Sequence, residues 1–123
     1  MDKRTILKLV NYLAECFEEK GVSVSKIILF GSYAQGNATK DSDVDLAVIS
    51  DNFRRKGISK RAEIIGPVHY KVVEKFLAPM DIVAMSPEDL ESEKSLVAGF
   101  VRKGKVIYPA QHRNSHERKV AAR

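Results

Sequence analysis

From Lys3 to Lys20 the apolar residues Ile6, Leu9, Val10, Leu13, Cys16 and Phe17 recur at three- and four-residue steps. That spacing puts them on one face of a helix, and Gly21 supplies its stop. The period then changes. Ile27-Ile28-Leu29-Phe30 is a short apolar run cut off by Gly31-Ser32, which predicts a buried strand. Tyr33 to Asp41 is small and polar, broken by Gly36 and Asn37, and predicts a helical turn and a loop. Val44, Leu46, Val48 and Ile49, with Asp43 and Asp45 interleaved, predict a second strand with one buried face.

Phe53 to Gly57 is basic and reads as exposed. Lys60 to Phe76 returns to helical spacing through Ile64, Ile65, Val68, Val72, Val73 and Phe76, and Gly66-Pro67 is expected to bend or split that helix. Met80 to Met85 predicts a third strand. Ser86-Pro87-Glu88-Asp89 then opens a helix expected to run to Gly104, with a capping serine, a proline at the first helical position and acids beside the positive dipole end. Val106-Ile107-Tyr108 reads as an edge strand stopped by Pro109. This order predicts an α/β (α+β) fold, a small mixed sheet flanked by helices, over residues 1–109. Residues 110–123 lose the apolar periodicity and read as a basic, flexible tail.

Composition narrows the picture only a little. A chain of 123 residues, 44% hydrophobic and 30% charged, suits a single globular domain with one core. No run of about 18 apolar residues occurs and the N-terminus has no signal-peptide pattern, so no membrane association and a cytoplasmic location are expected. Cys16 stands alone and reads as a buried thiol. The net charge of +5 points to phosphate-bearing partners, but much of the excess lies in Arg113, Arg118, Lys119 and Arg123 of the tail, so nucleic acid is not indicated beyond that charge. A homo-oligomer stays open.

The chemistry concentrates in three places. Asp43 and Asp45, two apart on a strand, project from the same face, and two such charges resist joint ionisation unless a cation sits between them. A hard divalent ion such as magnesium is the natural occupant. Taken alone, the pair reads equally well as solvated turn residues. Gly31-Ser32 offers backbone that can approach a ligand closely, with amides and a hydroxyl for phosphate oxygens. Asp81 lies inside an apolar strand, where an aspartate is unfavourable unless paired, metal-bound or at the sheet edge. His112 and His116 have the spacing of a helical metal pair, but nothing completes a zinc site. His69 reads as packing or surface.

Gly31-Ser32-Tyr33-Ala34-Gln35-Gly36 through Ser42-Asp43-Val44-Asp45-Leu46 resembles the glycine-serine and Asp-x-Asp signature of the DNA polymerase β-like nucleotidyltransferase superfamily. It is most similar to the single-domain minimal nucleotidyltransferases of antitoxin type, often paired with a small helical HEPN protein. The resemblance covers Ile27 to Tyr108. It implies a polymerase β palm-like fold, a triphosphate held at Gly31 and Ser32, and metal-binding catalytic carboxylates at Asp43, Asp45 and Asp81. It also implies a two-metal magnesium site and ATP or another nucleoside triphosphate as donor. Many relatives carry arginine where this chain has Gln35, and a neutral amide cannot replace a cation near phosphate. Lys40, Arg54 and Arg55 are the cations that could assist instead.

Three functions follow as expectations. The first is transfer of a nucleoside monophosphate, AMP from ATP, to a hydroxyl of a partner macromolecule such as a HEPN-like toxin. The second is an antitoxin-like module that neutralises a HEPN ribonuclease by binding, with little catalysis. The third, small-molecule modification of the aminoglycoside type, is disfavoured because the chain lacks an added helical substrate domain. No residue pattern reads the base.

Overall fold

Some helices begin where a side chain satisfies the first backbone amides, and others begin at glycine. In this computed structural model, which describes residues 1–110, helix α1 (Lys3–Glu19) is capped by Asp2, whose carboxylate accepts the Thr5 amide at 2.9 Å. Strand β1 (Lys26–Phe30) leads through Gly31 into the single turn α2 (Ser32–Gln35), and a loop returns the chain as β2 (Val44–Ile49). A 3₁₀ turn at Asp51–Phe53 precedes α3 (Ile58–Phe76) and β3 (Met80–Met85). Two short helices, α4 (Pro87–Glu91) and α5 (Leu96–Arg102), lead to β4 (Lys105–Tyr108).

The sheet order is β3-β2-β1-β4. β1 runs antiparallel to both β2 and β4, while β3 lies parallel to β2 after the α3 crossover. The sheet is mixed, as the sequence predicts.

Strand alternation sends side chains to two different layers. Ile27, Leu29, Val44, Leu46 and Val48 pack with Leu9, Leu13 and Phe17 of α1 and Val68 and Val72 of α3. Ile28, Ala47, Ile49 and Met85 face the other way, against Leu90 of α4 and Ala98 and Val101 of α5. Cys16 is buried in the first layer. Burying an aliphatic side chain of this size is worth roughly 1.5–3 kcal/mol, so the first, larger layer holds the fold. The second is partial, because α4 and α5 are short. That partial cover decides where chemistry can occur.

Three expectations need correcting. α3 is not split at Gly66-Pro67 but continues as one helix from Ile58 to Phe76. Both residues are exposed, so the carbonyl left without its helical donor faces water. The helix expected from Ser86 to Gly104 is two helices: Ser95 starts α5 by accepting the Ala98 amide at 3.1 Å. Phe53 is fully buried rather than exposed, with its ring edge-on to Phe17 at 6.4 Å between centroids. The expected tail, with His112 and His116, lies outside the described residues apart from Ala110. Among the described residues no helix is long and apolar enough to cross a membrane.

Candidate active site

Asp45 on β2, Asp81 on β3, Asp43 just before β2 and the Gly31-Ser32 turn just after β1 lie at one end of the sheet. Asp45 pairs with Phe30 across the β1–β2 ladder and with Asp81 across the β2–β3 ladder. Asp45 and Asp81 are therefore side by side on adjacent strands. By alternation they share the face that carries Ala47, Ile49 and Met85. α4 and α5 cover the far half of that face and leave the aspartate half open. Asp43 and Asp81 are exposed, and Asp45 is half-buried.

Gly31 closes the site from the β1 side. Its φ of 75° and ψ of −154° lie where essentially only glycine goes. A Cβ at this position would run into the Asp45 carboxylate. The turn that follows begins with Ser32, directly after the glycine that abuts the Asp45 carboxylate.

Burial first, then the neighbouring charges of Asp81 and Asp43, hold the Asp45 carboxyl above the ordinary carboxylate range. Asp45 thus feels the charge of both Asp81 and Asp43. Among the described residues no group of three or more His, Cys, Asp or Glu side chains is drawn together as a ready metal cage. Magnesium binds through one or two carboxylates and completes its shell with water and substrate phosphate. Asp43, Asp45 and Asp81 are a donor set of hard oxygens that fits such an ion.

The cations fare unequally. Arg54 donates to both Glu88 oxygens, at 2.8 and 2.6 Å, and pairs with Asp51 at 3.0 Å. These bonds to Glu88 raise the Arg54 pKa and lower that of Glu88. Arg54 and Arg55 also follow the far end of β2, at least about 13 Å of strand from Asp45, so the structure separates them from the carboxylates. Lys40 stays at the right end, in the loop that leads into Asp43. His69 is half-buried and bonds the Met80 carbonyl at 2.8 Å.

A hollow of about 490 Å³ lies elsewhere, between the start of α1 and β4, and is lined by residues such as Ile6, Leu29, Tyr33, Lys105 and Ile107. It holds no carboxylate to meet a metal–phosphate complex, so the open half-face remains the better candidate for triphosphate chemistry.

Residues 10–108 match the nucleotidyltransferase domain family, and the chain belongs to it. The fold and this membership define a nucleotidyltransferase. Two Methanocaldococcus jannaschii proteins named "putative protein adenylyltransferase" are similar to it. One is 31% identical over 88% of this chain and 75% of its own length, the other 38% identical over 41% and 47%. Among solved structures, a toxin–antitoxin crystal structure with AMP-PNP aligns over 98% of this chain and 82% of the matched chain, with a TM-score of 0.55 and 21% identity. That likeness bears on the fold alone.

Proposed function

We propose that this nucleotidyltransferase moves AMP from ATP onto a hydroxyl of a partner protein. The observation that carries the proposal is the pairing of Asp45 with Asp81 on the uncovered half of a sheet face, with the Gly31-Ser32 turn against Asp45. In this reading the Gly31-Ser32 turn holds the triphosphate, and Asp43 and Asp45 hold magnesium against it. Asp81 faces the acceptor. Bound magnesium, as one ion or two, would neutralise the triphosphate and lower the acceptor's pKa.

The acceptor oxygen attacks the α-phosphorus in line, the bond to the bridging oxygen breaks, and pyrophosphate leaves. The hydroxyl proton departs on the Asp81 side. The protein's part is to position the groups and screen their charge.

A protein acceptor suits an exposed site, because a half-face without walls cannot enclose a small molecule. The names of the Methanocaldococcus jannaschii relatives support the same reading. A HEPN-like helical toxin is the partner we propose, in keeping with the sequence resemblance and the toxin–antitoxin structural neighbour. ATP as donor suits a cytoplasmic setting. One observation favours the binding-only alternative: Gln35, exposed on α2, supplies no charge to the triphosphate. The test is intact-mass and peptide mapping of a co-expressed helical partner after incubation with ATP and magnesium, comparing the wild type with Asp43→Asn. AMP additions that need Asp43 support transfer. A bound but unmodified partner supports the binder, and efficient modification of an aminoglycoside overturns both.

A further inference from the structure

β3 is an edge strand, and its free side is not left to solvent. The Val44 amide donates to the Pro79 carbonyl at 3.0 Å, so in this parallel ladder the N–H and C=O of the odd-numbered residues of the strand face β2 and those of the even-numbered residues face outward. Two of those outward carbonyls are taken by side chains of α3. His69 Nε2 lies 2.8 Å from the Met80 oxygen, and Arg61 Nη1 lies 3.0 Å from the Ala84 oxygen. The spacings agree: the helix rises about 12 Å between its two side chains, and the strand rises about 13 Å between its two carbonyls. The helix therefore lies antiparallel along the edge and clamps it at both ends.

The two clamps have different neighbours. Arg61 also donates to the Phe53 and Lys56 carbonyls and to Asp89, so it ties together the part of the molecule remote from the aspartates. His69 acts at the aspartate end. A carbonyl oxygen can only accept, so Nε2 must carry the proton. The Met80 carbonyl and the Asp81 amide belong to one rigid peptide plane. Asp81 is exposed, so little packing fixes its side chain, and its direction depends on that plane.

We propose that His69 is a positioning residue for Asp81. By holding the Met80–Asp81 peptide from the free edge of the sheet, it keeps the Asp81 carboxylate beside Asp45. The inference rests on the reading that Asp81 serves the magnesium–triphosphate site. It assigns His69 no contact with substrate and no proton transfer.

The experiment uses the full chain, magnesium and a non-hydrolysable ATP analogue, with magnesium affinity followed through the amide resonances of Asp45 and of residue 81. His69→Leu removes the donor, and His69→Gln keeps an N–H of similar reach. The expected result is a loss of magnesium affinity of roughly tenfold or more in His69→Leu, largely restored in His69→Gln and absent when His69→Leu is added to Asp81→Asn. Unchanged affinity in a folded His69→Leu variant, or an equal further loss on the Asp81→Asn background, would overturn the positioning role. Wild-type affinity in Asp81→Asn alone would instead remove the reading beneath it, and the inference with it. If His69→Leu does not fold, His69→Asn, too short to reach the carbonyl, takes its place. Independently, a wild-type imidazole nitrogen spectrum showing a bare Nε2 overturns the proposal.

Discussion

Gly31 and Asp45 occupy complementary space: the carboxylate of Asp45 fills the position where any other residue at 31 would place its Cβ. The glycine is needed twice, for its left-handed φ of 75° and for this contact. Gly31→Ala should therefore destabilise the protein by about 1–3 kcal/mol from backbone strain, with a further cost from the clash. Chemical denaturation of Gly31→Ala, Asp45→Ala and the double variant separates the two. The clash part should disappear on the Asp45→Ala background, a coupling of about 1 kcal/mol or more. Additive effects would mean that the two residues do not share space.

Asp45→Asn should abolish most nucleotide transfer while leaving the metal-free protein at least as stable as the wild type. Burial and the charges of Asp81 and Asp43 raise the Asp45 pKa above the ordinary aspartate range. The folded state then binds the proton more tightly than the unfolded chain does. Folding stability from this group is greatest at acid pH and declines as pH rises from the unfolded value through the folded one. The stability advantage of Asp45→Asn should accordingly grow across that window and level off above it, and magnesium with nucleotide should reverse it. Thermal melts of both proteins against pH, with and without the ion, provide the check. A constant difference at all pH values would contradict the electrostatic account.

Arg61→Ala should be among the costlier single substitutions. Its guanidinium serves the Lys56, Phe53 and Ala84 carbonyls and Asp89, and truncation leaves several part-buried acceptors without donors. A loss of about 2–3 kcal/mol is expected, below the figure for a fully buried ion pair because Asp89 is 40% exposed. At Asp89, desolvation raises the pKa, but the bonds from Ser86 and Arg61 outweigh it and the net shift is downward. Its contribution is present above the unfolded pKa and is lost as pH falls through the folded one. Urea denaturation at neutral and acid pH should show the Arg61→Ala deficit shrinking in acid.

Gln35→Arg tests the missing cation. An arginine on the exposed side of α2, one turn from Gly31-Ser32, adds a fixed positive charge near the proposed triphosphate position. A several-fold lower KM for ATP is expected, on the order of the 1 kcal/mol or so that a charge-assisted bond supplies, with thermal stability unchanged. An unaltered KM in a folded variant would place the triphosphate away from α2.

The elements legible in the sequence were those with a strong local signal. The three-and-four spacing of Ile6 to Phe17 marks α1, the β-branched runs mark β1 to β3, and Ser86-Pro87 marks the start of α4. The candidate site residues are legible by type, but their adjacency is not. Asp45 and Asp81 are joined by a ladder register that no local pattern encodes. Phe53 was misplaced because one aromatic in a basic run says nothing of what it will meet, here Phe17 and the Arg61 guanidinium 6.0 Å from its ring centre. Ser95 did carry a readable capping signal within the stretch taken as one helix. His69 was legible only as a polar residue in a helix, because its partner is a backbone carbonyl eleven residues away in sequence.

The match between α3 and the edge of β3 limits how this chain can change length. Inserting or deleting one residue between Arg61 and His69 would turn one side chain about 100° around the helix axis relative to the other, so only one of them could still reach its carbonyl. The loop at Gly36–Ser42 is under no such constraint, since no helix keeps it in phase with a strand. Length variation among related chains should therefore collect in that loop and be absent from the middle of α3, where a single codon gained or lost would put the helix out of step with the sheet.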